Sequence, residues 1–395
     1  MRMKKLLFAT CCIAFLSGSL GAAAQKKSAA KNVLTQTLKG KSWSADNGNG
    51  TFTNPLFYDE FSDPDIIRVG EDYYLAGTTM HSVPGLVVLH SKDLVNWEFS
   101  SYCFDRFDDS DDFNLRNGKE AYGQGIWAPA IRYHNGKFYI FSNINGHGLQ
   151  VYISDSAKGP WTHHKVNGDI YDLSVLFDED GKIYAVHKYG NVTVTELKPD
   201  LSGPVEGSSK VVIPEGNAMG EGHHVYKING MYYILSADYS PMGRMQCARS
   251  KSIWGPYETC VISERESYGY AAGWSVGNMG IGRPLPEDGF KFQNNQPNGL
   301  NLGCATIHQG GIVQAPDGKW WGVSMQDFNA VGRTVCLSPI TWVDGWPYFG
   351  LEKNLGRSPR TWFKPNDAVK VPQAPYERCA APQKVDTERW KTDGK

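Results

Sequence analysis

The chain has few long apolar runs. Past the first two dozen residues no stretch is long and apolar enough to span a bilayer, so no membrane span is expected. It also has no surplus of either charge: 40 Lys plus Arg stand against 41 Asp plus Glu, a formal net charge of -1. Without a basic excess there is little to neutralise phosphates, and no nucleic-acid partner is expected; neutral substrates suit this balance. Cysteine is sparse as well. Cys11 and Cys12 fall in the apolar N-terminal stretch, and the other six (Cys103, Cys247, Cys260, Cys304, Cys336 and Cys379) include no CxxC pair and no zinc spacing. So few cysteines do not make a disulfide scaffold, and a core must supply the stability. Cys247 and Cys260 flank a turn around Ser252-Ile253-Trp254-Gly255-Pro256. A bridge and a pair of free thiols both fit that spacing, buried free thiols being the simpler state. Helical stripes are hard to find.

The N-terminus carries an address. Met1 to Lys5 is a short basic start, Leu6 to Leu20 is mostly apolar, and Ala22-Ala23-Ala24 offers a small-residue cleavage site. That is the layout of a secretory signal peptide over residues 1–24, so the expected location is periplasmic or secreted. Residues 25–53, rich in Lys, Ser, Ala and Gly, read as a flexible lead-in, and 366–395 as a Pro-rich, charged tail or linker.

The chain's 43 Gly, 21 Pro and 12% aromatic residues favour short strands and tight turns, and residues 54–365 between these two ends carry them as a repeat. One pattern recurs five times: a polar or small residue, a short apolar strand, a Gly- or Asp-containing turn, then an aromatic strand. The copies open at Asp63, Ala128, Asp172, Glu221 and His308. Asn135-Gly136 and Asn229-Gly230 between apolar runs are hairpin signals, because type I′ turns need positive φ at both central residues. Further strand-like sequence follows each hairpin, as in Val87 to Ser91 and Leu149 to Ser154. Four short strands per repeat predict an all-β, five-bladed β-propeller; a lone sandwich would leave the repeat unexplained.

In a propeller the innermost strands line the axis, so residues opening each repeat form a ring. Three of the five are carboxylic acids: Asp63, Asp172 and Glu221. Acids at Asp72, Asp180 and Asp317 fall within hairpin turns and read as structural. Three acids converging on one funnel suit glycosidic bond cleavage, which needs a protonated acid at the leaving oxygen and an ionised base activating water. A third carboxylate keeps the acid protonated by charge repulsion.

The chain here resembles the family 43 glycoside hydrolases, which include β-xylosidases and α-L-arabinofuranosidases. The markers are Asn54-Pro55 leading to Asp63-Pro64-Asp65-Ile66, then His90-Ser91-Lys92-Asp93 running to Asn96-Trp97, then Trp127-Ala128-Pro129 with Ile131-Arg132-Tyr133. Glu221-Gly222, Ala248-Arg249-Ser250, Trp254-Gly255-Pro256-Tyr257 and Asp344-Gly345-Trp346-Pro347 follow in order. The resemblance implies a five-bladed propeller and an inverting mechanism with Asp63 as general base, Glu221 as general acid and Asp172 tuning and orienting that acid. The implied activity is exo-hydrolysis releasing xylose or L-arabinose from plant cell-wall oligo- or polysaccharides. Leu173 stands where the family often has Pro, and Ala130 where it often has Asp.

A second tier around the substrate comprises Trp127, which can stack on a sugar ring or serve the blade core; Arg333, similar to a family arginine that bonds sugar hydroxyls; and Met80-His81, where relatives carry a pocket-wall aromatic. His308 completes the ring, and the resemblance implies a histidine beside a central calcium ion, with a structural histidine as the alternative since calcium prefers oxygen ligands. No cofactor is required. Three rival readings are a fructan- or sucrose-acting propeller enzyme, a non-catalytic carbohydrate-binding propeller and a Trp-Asp-type scaffold. The first expects motifs that Ser62-Asp63-Pro64-Asp65 and Tyr171-Asp172-Leu173 do not match; the last expects Trp-Asp endings that are missing.

Overall fold

The computed structural model describes residues 44–107, 110–217, 219–239, 242–263, 309–327, 332–352, 355 and 361–365. The expected signal peptide 1–24, the lead-in as far as residue 43, His308 and the tail 366–395 lie outside the described residues. Every regular element among those described is a β-strand, and none is a helix able to cross a membrane.

Five four-stranded antiparallel sheets form the blades of a β-propeller, each meandering outward in chain order. Blade one holds β2 (Asp65–Val69), β3 (Asp72–Ala76), β4 (Gly85–Ser91) and β5 (Trp97–Phe104). Blade two holds β6 (Ile126–His134), β7 (Lys137–Ile144), β8 (Gly148–Ser154) and β9 (Thr162–Val166). Blade three holds β10 (Ser174–Phe177), β11 (Ile183–His187), β12 (Val192–Leu197) and β13 (Lys210–Ile213). In blade four come β14 (Glu221–Ile228), β15 (Met231–Tyr239), β16 (Met242–Ser250) and β17 (Glu258–Val261). Blade five has β18 (Ile312–Gln314), β19 (Trp320–Asp327), β20 (Arg333–Val343) and β21 (Trp346–Phe349). The expected hairpin turns form as the sequence demands: Asn135 and Gly136 have φ of 48° and 81°, Asn229 and Gly230 51° and 77°.

The lead-in expected over 25–53 ends in ordered structure. Its last residues form β1 (Thr51–Thr53), paired with β22 (Thr361–Phe363), and Phe52 is fully buried against Trp321. The apolar Phe52 side chain decides this, since it gains more from burial than a solvated linker offers. The following segment closes the ring. Asn54 exchanges two hydrogen bonds with the backbone of Leu337, and Leu56 and Phe61 N–H donate to Val335 and Arg333 carbonyls, so chain preceding blade one caps the edge of β20 in blade five.

Apolar side chains from facing sheets meet between blades. Val88, Ile131, Ile140 and Tyr152 fill the gap between blades one and two; Phe141, Val151, Val175 and Ala185 fill the next. Cys247 and Cys260 are direct cross-strand partners between β16 and β17, and both are free thiols. Cys260 Sγ lies 3.2 Å from the Tyr348 hydroxyl, and burial pushes the Cys247 thiol up.

The axis is polar. Asp65 Oδ2 accepts from Ile131 N–H at 2.9 Å and pairs with the Arg132 guanidinium at 2.5 Å, while Oδ1 accepts from Ile66 N–H and faces His224 Nδ1, both at 3.0 Å. Arg132 continues to Ser174 Oγ and the Val175 carbonyl of blade three, and Ser174 Oγ accepts Val225 N–H of blade four. Tyr226 Oη then accepts Ile312 N–H of blade five at 2.9 Å. Gly311 has to be glycine: a Cβ there would fall 2.6 Å from the Tyr226 hydroxyl and 3.2 Å from Asp65 Oδ1. Burial opposes the charge on Asp65, but Arg132 and then His224 outweigh it and hold the carboxyl below its ordinary range. Asp65→Ala would leave Arg132 charged and unpaired between the blades. It should cost about 3–5 kcal/mol, measured by denaturant unfolding, with Asp65→Asn losing less because its one amide oxygen still accepts a backbone N–H.

Candidate active site

Just before each innermost strand, or within its first residues, stands a residue in the left-handed region. The five are Asp63 (φ 53°), Ala128 (30°), Asp172 (50°), Gly222 (66°) and Gln309 (45°). Such a φ is costly outside glycine, though Asp and Asn tolerate it better than most, and strain of this kind gathers at functional sites. Two residues further on stand Asp65, Ala130, Ser174, His224 and Gly311, the layer in which the axial network begins.

This register corrects the sequence reading. Asp63, Ala128 and Asp172 occupy the expected ring positions, but the fourth belongs to Gly222, one residue after Glu221; in blade five Gln309 has the matching conformation, and His308 lies outside the described residues. Glu221 instead opens β14, and the pairing with β15 slips between Glu221 and His224. That bulge re-aims the carboxylate. Gly222 is required: a Cβ there would lie 2.5 Å from the Gln309 side chain. A matching slip follows Trp127 in blade two.

The result is one open cavity of about 870 Å³ that Asp63, Asp172 and Glu221 line together, with Trp127, Asn143, Asn145, Tyr171, Tyr189, Gln309 and Arg333 also in its wall. Asp63 is 6% exposed; its Oδ2 accepts from the Thr78 hydroxyl at 2.6 Å, and Oδ1 lies 3.7 Å from Arg333 Nη1. Asp172, also 6% exposed, accepts Gly222 N–H at 2.7 Å. The Tyr171 hydroxyl donates to Glu221 Oε2 at 2.9 Å. Asn143 clamps the turn carrying these two residues, accepting Asp172 N–H at 3.0 Å and donating to the Ile170 carbonyl at 2.9 Å.

Of the second tier, Trp127 lies in the cavity wall rather than in the blade core, its indole N–H on Asn145 Oδ1. Arg333 also lines the cavity, its backbone N–H held by Glu60 Oε2 at 2.7 Å. His81 is exposed and does not line the cavity; it packs on Tyr122 at 4.8 Å and accepts Gly123 N–H. The acids Asp72, Asp180 and Asp317 stay at their hairpins, bonded to His90 and Lys92, to Tyr184 and to Lys319 respectively. Sequence reasoning missed Thr78, Asn143, Tyr171, Tyr189 and Gln309. Only Tyr171 had a signal, as the neighbour of Asp172.

Among the described residues no group of three or more His, Cys, Asp or Glu side chains is arranged to hold a metal ion. Asp65, nearest the axis, is already committed to Arg132 and His224. His308, the histidine expected beside calcium, lies outside the described residues.

Burial raises the Asp172 carboxyl well above its ordinary range, and the negative charges of Glu221 and then Asp63 push it further. Such neighbours titrate together, so the raised proton affinity is a property of the Asp172–Glu221 pair. Burial first, then Glu221, also raises the Tyr171 hydroxyl, which keeps its proton and remains a donor.

A five-bladed propeller whose axial cavity gathers three carboxyl groups from separate blades defines a class of carbohydrate-active fold, and sequence comparison supplies the family. The model for glycosyl hydrolases family 43 matches residues 52–269, more than half of the 395 residues. The chain belongs to that family. It is 32% identical over 355 residues to a putative beta-xylosidase of Xylanibacter ruminicola, covering 86% of this chain and 58% of the relative. It is 33% identical over 332 residues to a non-reducing end alpha-L-arabinofuranosidase of Bacteroides ovatus, covering 80% and 56%. Among solved structures, a bifunctional GH43-CE protein of Bacteroides eggerthii aligns with a TM-score of 0.66 at 32% identity, covering 82% of this chain and 38% of that one. The chain thus spans less than two thirds of the length of the curated relatives it matches.

The raised Asp172 carboxyl has a stability consequence. The folded state holds this proton at pH values where the unfolded chain has released it, so stability falls as pH rises from the unfolded value through the folded one. Asp172→Asn keeps an acceptor for Gly222 N–H and removes the charge. It should raise the thermal midpoint, by an increment that grows with pH from about 4 upward and then levels off in a melting series. A pH-independent increment would contradict this.

Proposed function

We propose that this chain is an inverting exo-glycoside hydrolase that releases xylose or L-arabinose units from hemicellulose-type plant cell-wall oligo- or polysaccharides. One observation carries the reading: Asp63, Asp172 and Glu221, from three blades, line a single open cavity. Asp63 is the general base, taking a proton from water as its oxygen attacks the anomeric carbon. Glu221 is the general acid, protonating the leaving oxygen as the glycosidic C–O bond breaks, so the freed sugar carries the inverted configuration. Asp172 disfavours loss of the acid's proton and holds its backbone through Gly222 N–H. Tyr171 orients the Glu221 carboxyl. Trp127 offers a face to the sugar ring, and Asn143, Asn145, Gln309 and Arg333 offer polar groups to its hydroxyls. The names of the relatives, a beta-xylosidase and an arabinofuranosidase, support the substrate class. The basic, apolar and small-residue succession over residues 1–24 supports export to the periplasm or medium.

Aryl β-xyloside and α-L-arabinofuranoside substrates, followed by product analysis on arabinoxylan and arabinan, test the activity, and NMR of the first-formed anomer tests inversion. Asp63→Ala should lower turnover by about 10²- to 10⁴-fold with the fold intact. Glu221→Ala should slow poor leaving groups far more than activated aryl glycosides; equal losses on both would remove it as the acid. Asp172→Asn should move the basic limb of the pH–rate profile downward, because the charge that keeps the acid protonated is gone.

A further inference from the structure

We infer that Thr78 is the positioning residue that keeps Asp63 an ionised, correctly aimed base, an inference that rests on the catalytic reading above. Thr78 follows β3 in a loop and is completely buried. Its backbone N–H donates to the Ser62 carbonyl at 2.9 Å, fixing it beside the turn that carries Asp63. Its hydroxyl has two neighbours: the Ala128 backbone N–H at 2.8 Å and Asp63 Oδ2 at 2.6 Å.

These two contacts assign the hydroxyl proton. An amide N–H can only donate, so the Ala128 bond uses a lone pair on Thr78 Oγ1. The single hydroxyl proton is left for Asp63 Oδ2. A hydrogen bond donated to the charged form of a carboxylate favours that form. It also occupies Oδ2, so that Oδ1, which faces Arg333 at 3.7 Å, is the oxygen left to accept a proton from water.

The link has a structural origin. Ala128 sits where the pairing of β6 with β7 slips, between Trp127 and Ala130, so its N–H falls outside the ladder and Thr78 takes it. One hydroxyl therefore ties the base of blade one to the bulge of blade two. Thr78 has a distinct task because the cavity must hold opposite protonation states a few side chains apart. Arg333, Glu60, Tyr171 and Asp172 act electrostatically on Asp63, and Glu221 shares the cavity wall. Of these only Arg333 is a cation, and the Thr78 hydroxyl is a neutral donor placed on Asp63 Oδ2.

Thr78→Val keeps the shape and removes the hydroxyl; Thr78→Ser restores it. The readouts are kcat, KM and the pH profile of kcat/KM on whichever aryl glycoside the wild-type protein turns over, with circular dichroism and thermal midpoint as folding controls. For Thr78→Val we expect kcat to fall about 10- to 100-fold with KM changed less than about threefold, and the acidic limb to move up by about one pH unit. Thr78→Ser should recover most of kcat and return the limb. A folded Thr78→Val with wild-type kcat and an unmoved limb overturns the inference, as does an equal loss in both variants with unshifted profiles, which marks a packing role. If Thr78→Val does not fold, Thr78→Cys, similar in shape with a weak donor, is read by the same criteria. Asp63→Ala separates the two levels of argument. Full activity in that variant removes the catalytic reading and this inference with it, whereas a silent Thr78→Val beside an inactive Asp63→Ala removes this inference alone.

Discussion

Beneath the cavity a carboxylate is held where carboxylates are expensive to hold. Asp65, with 1% of its side chain exposed, stays ionised because Arg132 reaches it from blade two and His224 from blade four. Desolvating an ion is repaid only by close, well-aligned partners. Once Arg132 is placed to satisfy Asp65, its remaining donors fall on Ser174 and Val175, so a third blade is registered by the same group. Interblade packing is apolar and tolerant of small slides; this polar plug is directional and is not. It sits two residues from Asp63, Asp172 and Gly222, and so fixes where the acids stand.

The second constraint is the left-handed turn at or just before the start of each inner strand. A positive φ redirects the chain so that the side chain at that point faces the cavity while the residue two further on faces the axis. Blades one and three place an aspartate there directly. Blade four reaches the cavity by another route, with glycine at the turn and Glu221 one step earlier across a bulge. A longer carboxylate from a displaced origin arrives in the same hollow, and Gly222 N–H is freed to bind Asp172 Oδ2. Glu221 and Asp172 are thereby joined through one backbone amide.

Polar partners then set a division of charge. Asp63 has a hydroxyl donor and a guanidinium nearby. Asp172 has burial and two negative neighbours, all favouring the proton. The raised Asp172 carboxyl makes the site a local cost to folding that the interblade cores offset.

The sequence by itself determined the repeat, the blade count and the turns, because Asn-Gly pairs, alternating strands and a recurring opening residue are local features with local causes. It also pointed to Asp63, Asp172 and Glu221, since three acids at one phase of a repeat must converge if the repeat closes into a ring. It left Thr78, Asn143 and Gln309 unmarked, as common polar residues whose partners are distant in the chain. Asp63 and Thr78 are 15 residues apart, Thr78 and Ala128 are 50. It misread the phase of blade four by one residue, because a bulge leaves no mark in composition, and it counted Phe52 with a flexible lead-in whose pairing partner, Trp362, is supplied from the other side of blade five. Only the tertiary structure decided which carboxyl meets a donor and which meets another charge, because those fields come from residues distant in the chain, such as Thr78 for Asp63 and Glu221 of the next blade for Asp172.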